Sequence, residues 1–148
     1  AIVALIRALA EYERLASEVV LEEDRLREHL FGQPPYAEVL IAEDEGKIVG
    51  FALFFSNYST FLGRPGIYLE DLFVLPEKRG QGHGKALLRS LARLALERGC
   101  GRLEWSVLDW NKPAIDFYRA LGARPMDEWT VYRLAGEELE QLADRTEK

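Results

Sequence analysis

Ile2, Leu5, Ile6 and Leu9 recur at spacings of three and four, so the chain opens on an amphipathic helix running to about Tyr12. A second short helix begins in the acidic turn Glu22-Glu23-Asp24, which suits the positive end of a helix dipole. It carries Leu26 and Leu30 inward and stops near Gly32 and the Pro34-Pro35 pair. Ala37 to Ala42 reads as a strand, and the polar turn Glu43-Asp44-Glu45-Gly46 leads into a longer one, Ile48 to Phe55, making a hairpin. Asn57 to Pro65 reads as a loop with turn residues. Ile67 to Val74 is a third strand, closed by Pro76.

Gly82 to Arg98 carries the clearest helical pattern: Leu87, Leu88, Leu91, Leu94 and Ala95 line one face, Arg89, Arg93 and Glu97 mark the wet one, and Gly99 stops it. Arg102 to Val107 reads as a strand, and Pro113 to Leu121 as a helix with Gly122 just past its end. Thr130 to Leu134 is predicted as a last strand, followed by a polar helix from about Glu137. The stretch 66–74, 82–98 and 102–107 is a β-α-β unit, so its two strands should run parallel with a right-handed crossover. The class is α/β or α+β with a mixed sheet. No repeat, low-complexity tract or linker interrupts the pattern, so residues 1–148 read as one domain. The helical pattern is already under way at Ala1 with no cap before it, and a further N-terminal segment is expected.

Composition narrows the possibilities. Hydrophobic residues at 48% and charged residues at 30% are ordinary for a soluble globular chain. No apolar run approaches the ~18–20 residues of a membrane span, and no signal-peptide pattern opens the sequence. The single cysteine, Cys100, cannot form an internal disulfide, and a cytoplasmic location is the expectation. A net charge of −6 argues against a nucleic-acid partner and favours a cationic substrate over an anionic one.

The strongest chemical signal is Arg79-Gly80-Gln81-Gly82-His83-Gly84, between a strand and the long helix. Glycines let the backbone approach a ligand closely, and a helix start offers free N–H groups and a positive dipole end to phosphate. Arg79 and Lys85 would add charge at the rim. A P-loop is excluded because position 79 is Arg and position 86 is Ala, and a dinucleotide fingerprint because Lys85 stands where its third glycine belongs. By itself the glycine pattern also fits a flexible helix-start turn with no ligand.

The loop resembles the Gln/Arg-x-x-Gly-x-Gly/Ala signature of the GNAT superfamily of N-acetyltransferases. Within it the chain is similar to the diamine (spermidine/spermine) acetyltransferases and the thialysine N-ε-acetyltransferases. The similarity runs from Leu9-Ala10-Glu11-Tyr12-Glu13 onward and is most specific in Tyr68 to Val74, Leu108-Asp109-Trp110-Asn111 and Asp116 to Ala123. It implies a mixed, mostly antiparallel sheet with flanking helices, a splayed parallel strand pair holding acetyl-CoA, and a homodimer. Leu72, Phe73 and Val74 would then bond the pantetheine arm, Arg79, Gly80, Gln81, Gly82, His83, Gly84 and Lys85 would hold the pyrophosphate, and Asn111, Pro113 and Ala114 would touch the other side. The opening strand of that family has no counterpart here.

Acyl transfer from a thioester to an amine makes three demands. The alkylammonium, of pKa ~10.4, must lose a proton; the developing oxyanion needs N–H donors; and the departing thiolate, of pKa roughly 8.5 if it resembles cysteine, gains from an acid. By strand alternation Glu70 shares the face of Tyr68, Leu72 and Val74, where a carboxylate needs a polar partner. Residue type alone makes it an ion pair or a surface charge; the resemblance makes it the general base, acting through water. Asp71 points to the opposite face unless a bulge intervenes, and reads as substrate-binding. Tyr118 alone reads as a helix core residue with a wet hydroxyl; the resemblance makes it the general acid. Tyr12, Glu13, Glu104, Trp105, Ser106 and Glu128 match positions lining an amine pocket, where carboxylates and aromatic faces both attract an ammonium.

Cys100 reads as a small buried hydrophobe, and His83 and His29 as surface residues. Two histidines without ligand spacing around them give no metal site. The expected function is acetyl transfer from acetyl-CoA to a primary amine of a small molecule, a thialysine-like amino acid or a diamine. The loop 57–64 resembles the thialysine enzymes more than the diamine enzymes, which carry an acidic residue near Ser59. Two alternatives stay open: a protein N-acetyltransferase, which an open peptide groove would favour, and a non-catalytic acyl-CoA-binding module.

Overall fold

Two long strands with apolar residues on both faces call for a covered sheet, and the computed structural model, which describes residues 1–144, builds one. Strands β1 (Glu38–Asp44), β2 (Lys47–Ser59), β3 (Arg64–Val74) and β4 (Leu103–Trp105) lie in that order. The β1–β2 and β2–β3 pairs are antiparallel, and β3–β4 is parallel, with α3 (His83–Glu97) as the connection. The mixed sheet of the expected fold class is therefore present. Helices α1 (Ile2–Tyr12) and α2 (Glu23–Phe31) precede it; α4 (Lys112–Ala120) and α5 (Gly136–Asp144) follow.

The chain divides into two compact units, Ala1–Leu108 and Asp109–Lys148. In the first, Leu5 and Leu9 of α1 are buried with Phe51, Leu53 and Phe73 of the sheet, while Leu26 and Leu30 of α2 cover the margin of that cluster. Helix α3 buries Leu87, Leu88, Leu91 and Ala95, with β3 its foremost contact. Each buried Leu or Phe side chain among these contributes roughly 1.5–3 kcal/mol. Phe51, Ile67 and Leu91 are fully enclosed.

Three expectations change. Residues 57–65 are not a loop: Asn57 pairs with Gly66, Tyr58 with Pro65 and Ser59 with Arg64, leaving a turn of residues 60–63. Turn-type side chains suggested a loop, but the ladder satisfies their backbone, and Ser59 closes the turn by accepting from the Leu62 and Gly63 N–H groups. The strand expected at 102–107 shrinks to Leu103–Trp105, because among the described residues it pairs only with Ile67–Leu69. Thr130–Leu134 forms no strand among the described residues. Its alternating pattern has no paired edge there, and Val131 and Tyr132 are exposed. A 3₁₀ turn at Ala16–Glu18, and another at Pro76–Lys78, had no signal in the apolar pattern.

Candidate active site

The glycine loop follows directly from the end of β3. The Leu75 N–H reaches Val49 O at 2.8 Å, the 3₁₀ turn Pro76–Lys78 follows, and residues 79–82 lead into α3. Gly80 and Gly82 sit at φ +80° and +87°, left-handed values that disfavour any residue with a Cβ. A Cβ on either would meet nothing, so the space before the loop is open. The first backbone bond of the helix is Ala86 N–H to Gly82 O at 3.0 Å. The N–H groups of His83, Gly84 and Lys85 therefore have no partner within α3 and, with the helix dipole, suit an anion.

Beside this loop, among the described residues, β3 has no strand partner past Leu69 on its β4 side. Its ladder with β4 ends at Leu69–Trp105, while Leu72, Phe73 and Val74 pair on their other side with Ala52, Phe51 and Gly50. Backbone groups past Leu69 on the β4 side fit an extended, amide-bearing chain. Arg79 does not stand at the rim as expected. Its guanidinium carbon lies 4.8 Å from the centre of the Tyr12 ring and 5.3 Å from that of Phe73, and its Nε donates to Val74 O at 3.0 Å. His83 is no surface residue either: its half-buried imidazole turns to Asp44.

A bulge decides the geometry of the acidic residues. Leu53 pairs with Asp71 and Phe54 with Leu69, so Glu70 is an extra residue on β3. Alternation restarts there, and Glu70 does not share a face with Tyr68, Leu72 and Val74 as an unbroken strand requires. Leu72 pairs with Ala52, on the face opposite to Tyr68, whereas Asp71 falls on the side of Leu53 and Phe73, under α1. Glu13 caps α1. Burial, and then the charges of Glu70 and Glu13, push Asp71 up to about 6. Burial and Glu70 raise Glu13 as well. The bulge thus gathers Glu13, Glu70 and Asp71 into one electrostatically coupled group, with Tyr12 next in sequence to Glu13. Such a group lowers its energy by taking a cation.

Tyr68 stacks on Phe55 at 5.4 Å and shares a 2.6 Å hydrogen bond with the Ser106 hydroxyl. Glu104, opposite Tyr68 in the parallel ladder, and Trp105 are half-buried on β4. In the second unit, Asn111 is buried and caps α4 by accepting from the Ala114 N–H at 3.4 Å, with Pro113 in the first turn. Tyr118 is half-buried, its ring 5.7 Å from that of Phe117. Glu128 is exposed beside the turn closed by Trp129 N–H and Met126 O.

The acetyltransferase (GNAT) family model matches residues 4–123. The chain belongs to the acetyltransferase (GNAT) family. It is accordingly an acetyl-CoA-dependent N-acetyltransferase. Among curated proteins it is 44% identical to the thialysine N-epsilon-acetyltransferase of Bos taurus, over 97% of this chain and 91% of that one. An L-ornithine N5-acetyltransferase of Arabidopsis thaliana is 45% identical over 64% of this chain and 42% of its own. Among solved structures, an integron cassette protein from the mobile metagenome of V. cholerae superposes with a TM-score of 0.80 at 29% identity, covering 97% of this chain and 90% of that one.

Sequence reasoning missed two side chains beside the loop of this acetyltransferase. Lys78 donates to Asp44 Oδ2 at 2.9 Å, and that bond, against the opposing effect of burial, holds the Asp44 carboxyl below the usual range. Asp44 was read only as part of a polar hairpin turn, since nothing local in the sequence signals a contact 34 residues away.

Proposed function

We propose that this enzyme acetylates the side-chain amine of a small, amino-acid-like substrate of the thialysine or ornithine type, with a diamine as the related alternative. The observation that carries this reading is the electrostatically coupled group Glu13, Glu70 and Asp71: three carboxylates close enough that the charge of Glu70 raises both of the others. The relatives named for thialysine and ornithine support the same substrate class.

Acetyl-CoA supplies the activated acetyl group. The N–H groups of His83, Gly84 and Lys85, with Gly80 and Gly82 making room, would hold its pyrophosphate. The β4 side of Leu72, Phe73 and Val74 would hold its pantetheine arm. The acidic group attracts the ammonium, and Glu70 takes its proton through water so that the neutral amine attacks directly, without an acyl-enzyme. Tyr118 would protonate the departing thiolate, and Asn111, Pro113 and Ala114 would complete donor binding. Tyr12, Glu104, Trp105, Ser106 and Glu128 would line the acceptor pocket. The family match crosses the boundary between the two compact units, which supports reading residues 1–148 as one catalytic domain. A cytoplasmic homodimer completes the reading; sedimentation at micromolar concentration tests the dimer, and a monomer would remove it.

The deciding experiment is a panel of amines with acetyl-CoA, read by thiol release. Thialysine and ornithine should rank above spermidine and above peptides bearing a free N-terminus. Preference for a peptide would replace this reading with protein acetylation, and tight CoA binding without turnover of any amine would replace it with a binding module.

A further inference from the structure

Lys78 and His83 bracket the four residues of the glycine loop, and one carboxylate meets both. Asp44, at the end of β1, accepts from Lys78 Nζ at 2.9 Å on the entry side. The same oxygen lies 4.0 Å from His83 Nε2 on the exit side. The three side chains are only 27%, 31% and 19% exposed, so the pairing is partly shielded from solvent. Between these ends stand two left-handed glycines, and Gly82 caps α3 with no side-chain bond. Arg79 is held at the entry by its N–H to Pro76 O, its Nε to Val74 O and its guanidinium on the Tyr12 and Phe73 rings. The two glycines beyond it carry no side chain to hold the rest of the loop. His83 Nε2 is buried without a hydrogen-bond partner, and an approach of about 1 Å to Asp44 would give it one.

We propose that Asp44 is a positioning residue for the acetyl donor, a tether across the hairpin that fixes both ends of the glycine loop so that the helix N–H groups converge on the pyrophosphate. The proposal rests on the phosphate-loop reading above. Asp44 touches no substrate; it acts through Lys78 and His83. Fixing donors in place before binding lowers the ordering cost of recognition. The opposite sign has a physical basis too. Asp44 occupies a lysine near the anion site, and removing the carboxylate would free that cation for phosphate.

The test is titration calorimetry of CoA on the full chain, beside steady-state kinetics, for Asp44→Asn, Asp44→Ala, Asp44→Glu and Lys78→Met. Circular dichroism and Tm establish that each variant folds. Asp44→Asn should weaken CoA binding and raise the KM for acetyl-CoA about tenfold, the scale of one lost charge-assisted bond, with kcat and the amine KM unchanged. Asp44→Glu, which keeps the charge, should recover part of the loss. Asp44→Ala and Lys78→Met combined should cost less than the product of the two single effects, because both break one tether. Unchanged or tighter CoA binding by folded Asp44→Asn overturns the proposal. Absence of CoA binding by the wild-type chain would instead remove the phosphate-loop reading, and the tether with it.

Discussion

Glu70-Asp71 and the loop 79–85 lie about ten residues apart at the end of the same strand, yet they offer opposite chemistry. The loop presents backbone: left-handed Gly80 and Gly82, three N–H groups without helix partners, and its one arginine turned away onto Tyr12 and Phe73. The acidic edge presents side chains, crowded enough that Asp71 and Glu13 are both raised by neighbouring charge as well as burial. A backbone site keeps its dipoles at every pH and fails when its geometry is filled. A site of coupled carboxylates keeps its geometry and fails when it is protonated. Donor and acceptor recognition should therefore break in different ways, and that contrast can be tested.

With the acid for the leaving thiolate proposed at Tyr118, outside both regions, the largest effect should come from there. Tyr118→Phe is expected to lower kcat by ~10²–10⁴-fold with little change in acetyl-CoA affinity, measured by steady-state kinetics and CoA titration. An unchanged kcat, in an enzyme shown to be limited by chemistry, would make the hydroxyl structural. Gly82→Asp attacks the backbone site itself. A side chain at φ +87° strains the turn, and its charge opposes the pyrophosphate, so CoA affinity should fall roughly 10²–10³-fold. Near-normal affinity in the folded variant would end the claim that the loop binds through its backbone.

How much of this was legible depended on range. The glycine loop could be read because its chemistry is local: strand, glycines and helix follow one another within a dozen residues. The bulge could not, since Leu69, Glu70 and Asp71 look like an unbroken strand and the shift exists only against Leu53 and Phe54 of β2. Faces were assigned by alternation, and one extra residue reversed them from Asp71 onward. Asp44 was hidden for the same reason, its partners Lys78 and His83 being far along the chain. Thr130–Leu134 shows the converse. Its alternating pattern is a strand signal, but a strand also needs an edge to pair with.

Glu70→Gln sharpens the acidic half of the comparison. If Glu70 helps deprotonate the amine, kcat/KM should fall about 10–100-fold near neutrality and recover partly as pH rises, because the amine then loses its proton in solution. A rise in the amine KM that does not vary with pH would assign Glu70 to binding alone. Removing its charge should also lower the Asp71 pKa, since Glu70 is one of its causes.

Asp71→Asn should have the smallest effect and is the most specific to the contrast. Asp71 titrates at about 6 in the folded chain, above its ordinary 3.8. Its raised value means that the folded chain binds this proton more tightly than the unfolded chain does. Between about pH 4 and 6 the folded state therefore holds the extra proton, and stability falls as pH rises through that window. The shift corresponds to about 3 kcal/mol, lost in full above the folded pKa. In thermal melts without substrate, wild type should lose that stability from pH 4 to 7, while Asp71→Asn should lose correspondingly less. In kinetics the sign reverses, because the charged form is the one that attracts an ammonium. The wild-type amine KM should climb as pH drops below about 6, and in Asp71→Asn it should be raised several-fold and vary less across the same range. The acetyl-CoA KM, set by backbone dipoles and by the Asp44 tether, should not follow Asp71: its pH profile should be the same in both enzymes. A donor pH step that disappears in Asp71→Asn would mean that the two regions bind as one, and the contrast between them would be gone.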